Sequence, residues 1–361
     1  MSIASIILTT AILSQTAPPV AGPEVAPKPA EKVTLERVYP QGKRLTYKLV
    51  SKLFSEERDY SMDTFMPEVS GTEYTFMIDV LQRKPDGIAT VLYRRPTITA
   101  VVGETALSDE RRVNVKLDWI LRMTVSPVNE VLGMVDETPK KPEPKKKPEE
   151  STPESSEWIR STSAASAVQP ELIVYFAPYI SEIYRLASFT GSFDSSLDLA
   201  PSFPFDPVSV GETWKKTVGY SPQPLRGSKK AAMQRLDYNY TYRGMTTFEG
   251  KSYQWVTAEL KVNSDIAGFF KGQFSNGDEI PITKVPLKLN ANVDFYLDPV
   301  TLSPIKTRAR SEGEWAMWST LTPGQASAEG RLKGDTTLDF VSATAIPAAK
   351  PSKPASKPKR K

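Results

Sequence analysis

Two stretches of the chain alternate apolar and polar residues almost without a break. One runs through Val113, Val115, Leu117, Trp119, Leu121, Met123 and Val125, the other through Leu287, Leu289, Ala291, Val293, Phe295 and Leu297. Successive side chains on a strand point to opposite faces, so strict period two predicts long strands with one dry and one wet face, the signature of antiparallel sheet.

The same reading extended along the chain predicts strands over residues 45–54, 72–82, 88–101, 113–125 and 130–135 in a first half. A second half reads as strands over 213–220, 236–242, 252–262, 266–274, 287–297, 301–318 and 331–341. Turn chemistry separates them: Pro85-Asp86-Gly87, Ser126-Pro127-Val128-Asn129, Glu249-Gly250, Asn276-Gly277 and Asp298-Pro299. The fold class is therefore mostly β, with antiparallel sheets or a barrel of about twelve strands. The halves share an order of roles, with Gly42, Gly87, the first long alternating strand and Pro127 answered by Gly211, Gly250, the second long strand and Pro299. This pseudo-repeat is one of pattern and not of residue identity, and both two sequential sheets and two halves of one barrel satisfy it.

One helical element interrupts the strands. Pro170 suits a first helical position, and Leu172, Phe176, Tyr179, Ile183 and Leu186 recur on one face, while Pro178 predicts a kink. Laid on a dry sheet face, such a helix covers a pocket lined by Phe176, Tyr179 and Ile183, with Trp214 as a further candidate ligand contact, as in periplasmic lipoprotein carriers whose half-barrels close over acyl chains. The competing reading is a helix and a tryptophan that only fill the core, and it is the favoured one for both.

Composition separates the folding part from its appendages. Of 361 residues, 31 are Pro, and segments 17–30, 138–153 and 346–361 are too rich in Pro, Lys and Glu to pack. The division expected is a signal peptide at 1–17, a Pro-rich leader at 18–42, a first β half at 43–136, a linker at 137–168, the helical insert at 169–190, a second β half at 191–345 and a basic tail at 346–361. The apolar run from Ile3 to Leu13 is shorter than the roughly 20 residues of a membrane span but suits the core of a secretory signal, so export to periplasm, cell surface or medium is expected, with no transmembrane span once the leader is removed.

The six cations Lys350, Lys353, Lys357, Lys359, Arg360 and Lys361 exceed the formal net charge of +4, leaving the rest of the chain at −2. That tail is the one place for an anionic envelope polymer to bind by charge, and the folding part offers no basic stripe for nucleic acid.

Val210-Gly211-Glu212-Thr213-Trp214, reached through Phe203-Pro204-Phe205-Asp206-Pro207, resembles a hallmark of a family of uncharacterised secreted bacterial β-rich proteins with a Val-Gly-(Asp/Glu)-(Ser/Thr)-Trp signature. The resemblance implies an exported β-sheet protein without an assigned activity. Read from the residues alone, Gly211 begins a strand at a close backbone approach and Trp214 packs into the sheet.

The chain has no His and no Cys. Serine triads built on histidine, the usual zinc sites, thiolate chemistry and disulfides are thereby excluded. Ser303-Pro304-Ile305-Lys306 matches Ser-x-x-Lys, but in a strand hairpin and without its companion motifs. Asp194, Asp198, Asp206, Asp278 and Glu279 are acids on loops, and Asn276, Asp278 and Glu279 fit a hairpin turn better than a calcium loop. The expectation is an exported non-enzymatic module of the cell envelope, without cofactor or metal, binding an apolar ligand or a surface partner. A structural protein held by its basic tail is the alternative, and a carboxylate hydrolase is the least favoured.

Overall fold

The computed structural model describes residues 31–104, 111–139, 199–220, 234–272 and 280–347. The signal, linker, helical insert and tail expected from sequence lie outside the described residues, apart from the ends of some.

The first half forms five strands, β1 (Lys43–Asp59), β2 (Met66–Arg83), β3 (Ala89–Glu104), β4 (Arg111–Val125) and β5 (Val131–Asp136). The second half forms β6 (Thr213–Tyr220), β7 (Gln234–Phe248), β8 (Lys251–Asp265), the helix α1 (Ala267–Gly272), β9 (Ile282–Lys284), β10 (Pro286–Leu297), β11 (Pro304–Ser319) and β12 (Ala328–Ala345). All pair antiparallel in one sheet of order β5-β4-β3-β2-β1-β12-β11-β10-β8-β7-β6, with β9 added to β11. Each half is a meander, and the two join where β1 pairs along its length with β12. The architecture is thus a single open sheet of twelve strands, neither two sheets nor a closed barrel.

One expected strand is wrong. Residues 266–272 of the expected strand 266–274 do not continue as sheet, and the last two lie outside the described residues; Asp265 accepts a hydrogen bond from the Ala267 N–H at 3.0 Å and from the Val285 N–H at 2.8 Å, capping α1 and ending β8. The strand count of twelve survives because β9 takes the vacated place.

Pairing register defines the inner face. In β10, Leu287, Leu289, Ala291, Val293, Phe295 and Leu297 are buried, while the residues between them face outward. Residues opposite one another share a face, which carries this side across Trp315, Ala309 and Thr307 of β11 to Leu332 and Leu338 of β12. It continues to Tyr47, Leu49 and Leu53 of β1 and to Phe76 and Tyr74 of β2.

The inner face is strongly concave. Val128, beside one edge strand, and Val218, on the other, belong to the same apolar cluster although they stand at opposite ends of the strand order. Two extended segments fill the hollow. Residues 32–41 and 199–210 bridge each other at Val33 and Val208, and their backbone N–H groups reach Pro127 (from Arg37), Thr301 (from Val38) and Val128 (from Phe203). At the far end of the second half, Ile266, Phe269, Ile280 and Ile282 of α1 and its flanks close the same cluster over Trp315 and Met317.

Candidate functional site

The first half has no such cover at its far end among the described residues. Ile98 lies opposite Val115 across β3 and β4, and Ala100 opposite Val113 and Thr72, so Ile98, Val113 and Val115 belong to the inner face. Met66, opposite Glu57, lies on the same side at the start of β2, but six residues beyond Thr72 and with Glu68 and Ser70 at the inward positions between. Val113 is nonetheless 47% exposed and Met66 37%, with Ile98 and Val115 half-buried. The flanking residues Arg112, Asn114 and Lys116 point to the outer side and are exposed. Among the described residues nothing covers this apolar face.

A bulge lies between these residues and the buried core of the first half, against which Ile98 still packs. Asp118 has φ 52°, and the β3–β4 register shifts between Arg95 and Thr97. Arg95, at the shift, is fully buried; its Nε donates to the Tyr93 hydroxyl at 2.8 Å, and its guanidinium lies 4.1 Å from the Tyr74 ring centre and 5.2 Å from that of Trp119. A cation wrapped in aromatic faces is held without exposing charge to the apolar surface next to it. Glu57 and Glu68 are part-exposed acids on the same side of β1 and β2.

A second polar cluster holds the filled end. Arg37 is 1% exposed; its guanidinium donates to Asn129 Oδ1 at 3.0 Å and to the Tyr47 hydroxyl at 3.3 Å, and sits 4.7 Å over the Tyr39 ring. The Tyr39 hydroxyl also donates to Asn129 Oδ1, at 2.6 Å, and Asn129 Nδ2 donates to the Pro201 carbonyl at 3.0 Å. Burial pushes both tyrosine hydroxyls up, only partly offset by Arg37, so the phenols stay neutral. This network ties both filling segments to the β4–β5 turn and is structural.

Of the four residues expected to touch a ligand, Phe176, Tyr179 and Ile183 lie outside the described residues. Trp214 is half-buried at the other side of the fold, stacked on Tyr240 with ring centres 5.5 Å apart, and its Nε1 donates to the Ser202 carbonyl at 2.9 Å. It anchors the 199–210 segment on β6 and is not part of the open patch. Nor does Gly211 serve a close approach: the space where a Cβ would sit is empty, and the residue is needed for its φ of 90°. Glu212 accepts a hydrogen bond from the Ser209 N–H at 2.7 Å, completing a turn that delivers Trp214 to the sheet.

Some of the residues weighed for catalysis from sequence lie among the described residues. Ser303 is buried, whereas Lys306 Nζ turns to Glu249 at 3.3 Å and Asp339 at 3.6 Å. Asp206 is an exposed loop acid; Asp194, Asp198, Asn276, Asp278 and Glu279 lie outside the described residues, as do the six tail cations. Among the described residues no group of three acids is placed to hold a metal ion, and no helix is long and apolar enough to cross a membrane.

The exposed inward positions Ile98, Val113 and Val115 were not singled out from sequence as a site. Its alternation was visible, but alternation does not distinguish an inward face that is filled from one that is bare.

No protein-family model and no curated protein sequence matches the chain. Among solved structures, one described as "Lipid-protein interactions in lipovitellin" is similar at 8% identity over 87% of this chain, with a TM-score of 0.41, and this chain spans only 26% of that one. An outer membrane lipoprotein-sorting protein domain from Vibrio parahaemolyticus is similar at 8% identity over 84% of this chain and 87% of its own, with a TM-score of 0.17. OpdL of Pseudomonas aeruginosa is similar at 6% identity over 82% and 98%, also with a TM-score of 0.17.

Proposed function

We propose that the protein is an exported, non-catalytic binding module of the cell envelope that holds an apolar ligand on the concave face of β2, β3 and β4. One observation carries the reading: the inward positions Ile98 and Ala100 of β3 and Val113 and Val115 of β4 are apolar, yet Val113 is 47% open to solvent. Elsewhere on the same face such positions are covered by residues 32–41, residues 199–210 or α1. A bare apolar surface inside a concavity stabilises whatever apolar group is laid on it, by about 25 cal/mol for each Å² removed from water.

The apolar run near the N-terminus supports export, and the absence of His and Cys supports binding in place of reaction. Organic extraction of the purified full-length protein followed by mass spectrometry tests the proposal. A co-purifying lipid or other apolar molecule, present in near-stoichiometric amount, is expected. Protein that carries none, and takes up none when incubated with a long-chain fatty acid, would count against it.

A further inference from the structure

One cross-strand row of the inner face changes chemistry part-way. From Val113 of β4 it runs through Ala100 of β3 to Thr72 of β2, Ser51 of β1 and Thr336 of β12. The first two are apolar, and the next three carry hydroxyls. Ser70 of β2 and Ser55 of β1 add two more on the same side.

Ser51 Oγ and Thr336 Oγ1 stand 2.8 Å apart and share a hydrogen bond. Ser55 is different: it is 1% exposed, and its Oγ has no hydrogen-bond partner among the described residues. Burying a hydroxyl without a partner is destabilising, and alanine would fill the same space without that penalty. Thr72 and Ser70, both half-buried, lie on β2 between Ser55 and the apolar positions of β3 and β4. Adjacent strands run about 4.8 Å apart, so a molecule lying across the strands from Val113 reaches these two hydroxyls first and Ser55 next. Charge narrows what its polar end can be. Glu68 is directly opposite Ser55, and Glu57 follows two residues on along β1, on the same side. A carboxylate or phosphate placed there meets like charge. An ammonium brings only donors and leaves the Ser55 proton without an acceptor, whereas an ester carbonyl or an alcohol oxygen accepts it.

We infer that the ligand of the concave face is a neutral long-chain ester or alcohol of the monoacylglycerol kind. Its chain lies on Ile98, Val113 and Val115, and its uncharged oxygens meet Thr72, Ser70 and Ser55. The inference rests on the proposal that this face holds an apolar ligand, and it adds the class of head group.

Displacement of a fluorescent long-chain fatty acid from the delipidated full-length protein tests it, with 1-monolauroylglycerol, lauric acid and dodecylamine as competitors. The glyceride should displace the probe at a concentration about tenfold or more below that needed for the acid or the amine. Ser55→Ala and Thr72→Val should each weaken the glyceride about threefold or more, and together bring it to the level of lauric acid, whose own displacement stays unchanged. Urea midpoints check that the variants fold, and Ser55→Ala, which removes a hydroxyl without a partner, should not lower them. A glyceride no better than the acid or the amine, or variants that leave its advantage intact, would overturn the head-group assignment and leave the apolar-ligand proposal standing. A fluorescent fatty acid that does not bind the wild type at all would overturn both.

Discussion

Lys216 of β6 and Glu130 at the start of β5 form an ion pair of 2.7 Å between the two opposite edges of one open sheet. No backbone ladder joins those edges; the sheet curls until side chains meet across the seam. Both partners are partly exposed, 19% and 35%, so the pair marks the closure more than it holds it. The holding comes from the apolar cluster that spans Val128 to Val218.

Lys216→Met should therefore cost under about 1 kcal/mol in chemical unfolding. Because the chain has no Cys, a Lys216→Cys, Glu130→Cys variant treated with a short bismaleimide should give an intramolecular cross-link, seen as a faster-migrating monomer on denaturing gels. Cross-linked dimers alone would contradict the seam.

Asn129 should be the costliest polar position at the filled end. It has φ 64° and serves Arg37, Tyr39 and Pro201 at once. Asn129→Ala leaves a buried guanidinium short of its acceptor and should lower stability by about 3 to 5 kcal/mol in urea unfolding. Asn129→Gly, which suits the backbone, should recover only about 1 kcal/mol of that.

Gly330 leaves room for the Trp315 indole opposite it on β11. A Cβ there would stand 2.7 Å from Trp315 Nε1 and 2.8 Å from Cε2, and the indole, 3% exposed, has nowhere to go. Gly330→Ala should cost about 1 to 3 kcal/mol. In a Trp315→Leu background the same change should cost under about 0.5 kcal/mol, which a double-mutant cycle reads directly.

Asp79 gives the fold an acid-sensitive element. Burial pushes its carboxyl up, but Arg44 at 2.6 and 2.8 Å and Arg94 at 3.1 Å outweigh burial and hold it below the ordinary value. A folded-state value below the unfolded one means that the unfolded chain binds more protons as acid is added, so this stabilisation is present above the unfolded value and lost as pH falls through the folded one. Asp79→Asn should destabilise by about 1 to 3 kcal/mol near neutral pH. The gap between wild type and variant should close as urea midpoints are followed down towards about pH 3; a gap that stays constant would contradict the assignment.

Strand existence was legible because burial on one face writes itself as period two: 287–297 against Pro286–Leu297, and 213–220 against Thr213–Tyr220. Gly87, with φ 84°, closes the first hairpin as its Asp-Gly pair predicts. The six-residue α1 was missed because it is too short for a 3.6-residue period to show, and its one local cue was the capping Asp265. The pairing of β1 with β12 joins the two ends of the folded chain, and nothing local in either strand encodes it. The open patch was half legible: Val113 carries the same alternation as Leu287, but whether a third layer covers an inward residue depends on segments far away in sequence.

The bare concave face is tested most directly by titrating the purified, delipidated protein with a fluorescent long-chain fatty acid, for wild type and Val113→Glu. Val113 is 47% exposed, so the change should leave folding stability within about 0.5 kcal/mol. Saturable binding by the wild type, weakened about tenfold or more by the charge that a bound acyl chain would bury, is the predicted result. Equal binding by both proteins, or none by the wild type, would contradict it.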